Sequence, residues 1–169
     1  MRRGHSVSVV TLRQPGLAER EDDQGVRVYR VRGSAQRLTP LFSNELRRSA
    51  APFPDPEIIT ALSRVITAER PDLIHAHNWM VHSFLPLKRM SRTKLVMSVH
   101  DFSLVCARKD FMYLGLDNCP GPWVERCLRC AAKYYGSAKG TATTIGALVM
   151  SPFLRRSIYR FISDSRSVA

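Results

Sequence analysis

The sequence predicts an α/β fold built on a mostly parallel sheet, and three observations carry that expectation. Short runs rich in β-branched residues alternate with longer stretches of helical character. Two of the runs, 73–77 and 94–99, are separated by a segment that suits a crossover helix, so they read as parallel neighbours in one βαβ unit. Each of the two ends in histidine: His75 and His77 close the first, and His100-Asp101 closes the second. Residues i and i+2 share a face of a strand, which points His75 and His77 the same way. Ligands of open parallel sheets bind beyond the carboxyl ends of the strands, so these imidazoles and the carboxylate together make a candidate site.

The remaining elements follow in order. Residues 6–12 (SVSVVTL) form a strand by β-branched content, and 13–25 read as a polar loop around Pro15, Gly16 and an acidic run. Residues 26–32 (VRVYRVR) alternate with arginine, as an edge or near-edge strand with one wet face would. The stretch 33–54 lacks periodicity and reads as irregular; Asn44 and Glu45 within it receive no role. Asp55-Pro56 starts a helix, with Asp as N-cap and proline at the first helical position, and Ile58, Ile59, Leu62, Val65 and Ile66 lay down one apolar stripe. Residues 78–90 are helical with a disturbance at Pro86. The long connection 102–122 carries cysteines, helices follow at 123–135 and 141–159, a short strand at 160–163, and a further helix begins at Asp164-Ser165.

The 169 residues fit one domain, and 44% hydrophobic with 24% charged residues is ordinary for a globular chain. The net charge of +12 and pI near 10.3 are not ordinary. Arginine pairs such as Arg2-Arg3, Arg47-Arg48 and Arg155-Arg156 favour nucleotides, anionic lipid surfaces or nucleic acid, although scattered pairs also suit a plain solvated surface. Residues 1–5 lead into a strand without an apolar signal-peptide core, so the expected compartment is cytoplasmic and reducing. No run approaches the roughly 18 apolar residues of a membrane span. The most apolar segment, 145–154, contains Pro152 and suits at most a helix lying on a surface.

Cys106, Cys119, Cys127 and Cys130 follow C-x12-C-x7-C-x2-C. The C-x2-C pair is a good half-site for tetrahedral zinc, whereas the Cys106–Cys119 spacing is too wide to be diagnostic. A structural zinc is one reading and free thiols are the other.

Five segments, RRGHSVSVVTL, RPDLIHAHNWM, KLVMSVHDFSLVC, CPGPWVERCLRCAAKYYG and FISDSRSVA, resemble in that order the N-terminal half of glycosyltransferase family 4 enzymes, and the likeness covers nearly the whole chain. The resemblance implies the GT-B fold, two facing Rossmann-like domains with the active site in the cleft between them. It implies transfer of a hexose-type sugar from a nucleotide-sugar to a glycan or lipid-linked acceptor, with retention of configuration. The N-terminal domain would hold the acceptor, and a C-terminal domain, with basic residues and an E-x7-E motif, the nucleotide. Residues 1–169 would then be one Rossmann-like acceptor-side domain, its mostly parallel sheet flanked by helices, with 102–135 a cysteine-bearing insertion. Family members open with a strand and a Gly-rich loop before the RRGH segment. Neither is present here, so the expectation is a domain truncated at both ends, lacking the usual first strand between 6–12 and 73–77, and inactive alone.

By the same resemblance, His100 contacts the donor sugar near the reacting carbon, by hydrogen bonding or charge stabilisation. Asp101 would orient that ring or accept from an acceptor hydroxyl, or else cap the following turn. His75, His77, Asn78 and Trp79 would line the acceptor side, with Trp79 stacking on a sugar ring or packing under the crossover helix, and His75 exposed or buried. The cysteine pattern occurs in a subset of the family, which favours the zinc reading; the reaction itself would need no cofactor. Arg155, Arg156 and Arg160 suit a helix C-terminus on dipole grounds, and would equally suit peripheral contact with the inner membrane surface. Two other classes compete. One is a metal-dependent hydrolase using His75, His77, His100 and Asp101 as ligands. The other is a basic zinc-containing nucleic-acid-binding module; its aromatics are not interleaved with basic residues, so nucleic acid is not an expected partner.

Overall fold

A computed structural model of the protein describes residues 4–34, 36–37 and 50–163. The Arg2-Arg3 and Arg47-Arg48 pairs, Asn44, Glu45 and the helix expected from Asp164 lie outside the described residues. The strands are β1 (Ser8–Leu12), β2 (Arg20–Asp23), β3 (Val26–Val31), β4 (Leu73–His77), β5 (Lys94–Val99), β6 (Met112–Tyr113), β7 (Asp117–Asn118) and β8 (Arg160–Ser163). The helices are α1 (Pro56–Glu69), α2 (Val81–Lys88), α3 (Val124–Tyr135) and α4 (Ser137–Ser157). The α/β expectation holds, with helices flanking a parallel sheet of order β4-β5-β8. A second sheet has the order β1-β3-β2, and β1 and β4 are not bonded to each other.

One detail of the first sheet differs from expectation. The stretch 13–25 is not all loop, because its acidic run forms β2, antiparallel to β3. Strand β3 is therefore central, flanked by parallel β1 and antiparallel β2. It takes the near-edge place of the two expected; Arg30 pairs with Glu21 at 2.5 Å, and the partly exposed Arg27 pairs with Glu69 of α1 at 2.5 Å. A two-residue turn closes the hairpin, with Gln24 (φ 52°) and Gly25 (φ 83°) both left-handed as such turns require. Glu69 also accepts from Tyr29 Oη at 2.5 Å and Ser8 Oγ at 2.8 Å, fastening this sheet to the end of α1. The bond from Tyr29, then that from Ser8, holds the Glu69 carboxyl below the ordinary carboxylate range.

Helix α1 begins as its sequence dictates. Asp55 is 4% exposed, and its Oδ1 accepts from the backbone N–H of Glu57 (3.0 Å) and Ile58 (3.3 Å) and from Ser34 Oγ (2.9 Å). Ile58 and Leu62 carry the buried stripe into a core shared with Val31, Phe84, Leu95, Met97 and Leu154. Between β4 and β5 the crossover is a short 3-10 turn, Asn78–Met80, followed by the eight residues of α2. Pro86 lies inside α2 and removes one helical donor, in keeping with so short a helix.

In the first turn of α2, His82 is 3% exposed and its Nδ1 has no hydrogen-bond partner. Burial pushes its pKa from 6.5 down to about 4. The unfolded chain therefore takes up the proton first. His82's contribution is complete above pH 6.5 and is lost as pH falls toward 4. The shift corresponds to about 3 kcal/mol of stability. Urea unfolding at pH 7.5 and 4.5 is expected to show this loss in the native chain and a smaller one in His82→Phe; equal losses would contradict it.

Helices α3 and α4 meet at Gly136 (φ 85°) and run on as a hairpin, so α4 starts earlier than the 141–159 expected and ends at Ser157. The connection before α3 is not bare loop, because β6 and β7 pair antiparallel within it.

Candidate functional site

Strands β4 and β5 run parallel with His77 opposite Ser98, so their carboxyl ends lie level. Ile74 and Ala76 pack against the core, which leaves Leu73, His75 and His77 on the exposed face. His75 is thus exposed and not buried, with Nε2 2.8 Å from Ser98 Oγ. His77 Nδ1 lies 2.7 Å from Nε2 of exposed His100, and their rings stack at 11° with centroids 5.0 Å apart. The His75 and His77 centroids are 4.4 Å apart. The structure therefore gathers all three expected histidines on one rim. A bond between two imidazole nitrogens needs one donor and one acceptor, so His77 and His100 fix each other's tautomer and orientation.

The other expected residues divide. Asn78 is exposed and left-handed (φ 57°), a conformation asparagine tolerates, at the corner just beyond β4. Asp101 accepts from the Ser103 backbone N–H at 2.9 Å, the turn-capping alternative, and no bond from it to His100 is present among the described contacts. Trp79 is 5% exposed and its indole N–H donates to Ser103 O at 3.3 Å. Its ring is covered by Lys109, whose Nζ lies 3.9 Å from the ring centroid. Trp79 therefore packs beneath the site, the packing alternative of the two that the sequence offered.

Lys109 is the neighbour that sequence reasoning missed. It is brought back to the strand end by the bond from Phe102 N–H to Lys109 O (3.0 Å) and by a left-handed turn at its own position (φ 73°). Burial lowers its pKa, and the Asp101 carboxylate opposes that shift. Nothing in the run C-A-R-K-D marks this lysine, because its placement depends on a reversal of the chain between β5 and β6.

The hydrolase alternative gains no support from the geometry. His77 and His100 use ring nitrogens to bond one another and His75 bonds Ser98. Among the described residues, no three or more His, Cys, Asp or Glu stand as they are in a metal-holding group. The four cysteines are free thiols spread over the turn after Phe102, the chain after β7 and helix α3. Burial, and beyond it the neighbouring Cys106, Cys119 and Cys130, push the Cys127 thiol up.

No curated protein and no solved structure matches the chain. The description of one family, the glycosyl transferase 4-like domain, matches residues 1–169, in agreement with the parallel sheet and its helices. The chain belongs to the glycosyl transferase 4-like domain family, and is thus a domain of enzymes that move a sugar from a donor to an acceptor.

Proposed function

We propose that the chain is the acceptor-side domain of a retaining, nucleotide-sugar-dependent glycosyltransferase that passes a hexose-type sugar to a glycan or lipid-linked acceptor. One observation carries this reading: in a chain matched throughout by the family, His75, His77 and His100 converge on an exposed rim at the ends of parallel strands. His100 acts on the donor sugar, by hydrogen bonding to a hydroxyl or by stabilising charge that develops in the transition state. His77 is a positioning residue that holds the His100 ring, and His75 and Asn78 border the acceptor. The nucleotide is held by a second, facing domain, and no cofactor enters the reaction. The 169-residue chain assayed alone is expected to transfer no sugar. With the facing domain supplied, product formation from a panel of nucleotide-sugars, followed by proton NMR of the anomeric coupling, tests the reading. Retained configuration supports it, and inversion overturns the retaining assignment.

Peripheral contact with an anionic membrane is part of the same proposal. No helix among the described residues is long and apolar enough to cross a membrane. Helix α4 instead exposes Ile145, Leu148, Val149 and Phe153, and ends in Arg155 and Arg156. An open groove of about 440 Å³ beside that end is lined by Lys88, Arg89, Lys94 and Arg156. Co-sedimentation with phosphatidylglycerol vesicles is expected to exceed that with phosphatidylcholine vesicles, to fall with salt, and to drop several-fold in Arg155→Ser/Arg156→Ser. Equal recovery with both lipids would remove this part.

A further inference from the structure

We propose that Cys106, Cys119, Cys127 and Cys130 form a site for one soft divalent ion, zinc by preference, that staples the chain on both sides of the β6–β7 hairpin to α3. Cysteines from three separate segments wall a single cavity of about 20 Å³, room for one atom-sized occupant. Four thiolates around one ion suit zinc and leave no open coordination position, so the site is structural.

The rest of the cavity wall matches such a centre. On binding, the four thiols release four protons, and with a divalent ion the cluster carries a charge of −2. Two guanidinium-bearing residues, Arg108 and Arg126, line the same cavity. The Arg108 side chain is 9% exposed, and its Nε is buried with no hydrogen-bond partner, although Asp110 takes Nη2 at 2.7 Å. The buried Nε lacks an acceptor, and an anionic tetrathiolate beside it would supply one. Its Nη1 lies 4.0 Å from Cys130 Sγ, and the Leu114 backbone N–H donates to the same sulfur at 3.2 Å. N–H donors aimed at sulfur are what stabilise a metal-bound thiolate.

The segment also needs a fastening. Between Lys109 and Gly115 the chain turns through left-handed φ at Lys109, Phe111, Leu114 and Gly115, and only the two-residue strands β6 and β7 pair within it. The Cys119 thiol faces Gly121 O at 3.5 Å and the Cys130 thiol faces Met112 O at 3.6 Å. As they stand, the described residues form no metal-holding group, so binding requires these side chains to turn about their single torsion into the shared cavity. The staple fixes the same segment that returns Lys109 to the strand end, so it lies upstream of the site's shape without touching substrate.

Titration of the reduced full chain with cobalt(II) tests the proposal. The expected result is a thiolate-to-metal charge-transfer band that saturates at one equivalent, with intense tetrahedral d–d absorption, and that is displaced by zinc. The band should weaken at least tenfold in apparent affinity in Cys106→Ser and in Cys119→Ser, and persist in His75→Ala/His77→Ala. Thiol reactivity of the unmodified chain gives a reading independent of how a serine variant folds: one equivalent of zinc should shield all four thiols from a thiol reagent, and a chelator should restore them. No charge-transfer band in the reduced chain, or a band unchanged in Cys106→Ser and Cys119→Ser, overturns the four-cysteine site. Four thiols as reactive with zinc as without it overturn it too.

Discussion

Gly140→Ala is expected to destabilise the chain by about 3 kcal/mol, against the usual direction for such a change within a helix. Glycine to alanine in a helix interior ordinarily stabilises, because it lowers the entropy of the unfolded chain. At position 140 of α4 a Cβ would lie 2.5 Å from the carbonyl carbon and oxygen of Ala131 and 2.5 Å from the nitrogen of Ala132. These are backbone atoms of α3, which cannot turn aside as a flexible side chain would. The two helices must separate, losing packing around Ala131, Thr143 and Thr144, all of them buried. For a chain of this size the loss corresponds to a melting temperature roughly 6–12 °C lower. Thr141→Ala, one residue along on the exposed face, is expected to leave the melting temperature level or slightly raised. Equal melting temperatures for Gly140→Ala and the native chain would mean that α3 and α4 do not pack this closely.

His100→Ala, in the enzyme assembled with its facing domain, is expected to lower kcat by about 100-fold with a much smaller change in KM for the acceptor. In the proposed function His100 would serve the transition state, while His75 and Asn78 would border the acceptor. Loss of a group that acts only in the transition state lowers kcat and kcat/KM together. His77 touches His100 through one bond of 2.7 Å, so its removal leaves the catalytic ring present but free to turn. His77→Ala should therefore cost about tenfold, and His77→Gln, which keeps an amide able to bond the neighbouring ring, should recover part of that. A His100→Ala enzyme that loses only acceptor affinity would move His100 to the acceptor side.

How much was legible in the sequence depended on whether the signal was local. The N-cap at Asp55, the stripe of α1 and the parallel pairing of β4 with β5 rest on neighbours along the chain, and they came out as read. So did the shared face of His75 and His77 and the approach of His100, because strand periodicity and sheet topology together dictate them. What the sequence left open was decided by partners far apart along the chain. The arginines of β3 mark an edge or near-edge strand, and Glu21 and Glu69, distant in sequence, pair them in the near-edge place. Trp79 beside polar residues looks like a sugar platform until Lys109 and Ser103, both beyond β5, close over it. For Asp101 the sequence left orientation of His100 and capping of the next turn open, and the Ser103 backbone N–H supplies the capping bond.

The most direct measurement of the central idea, that the histidine rim is the sugar-handling surface, is a double-mutant cycle on kcat/KM with His77→Ala and His100→Ala. Two groups joined by one hydrogen bond and serving one step are expected to be non-additive, so the double variant should be scarcely slower than His100→Ala alone. Losses that simply multiply, or a His100→Ala enzyme with native turnover, would contradict it.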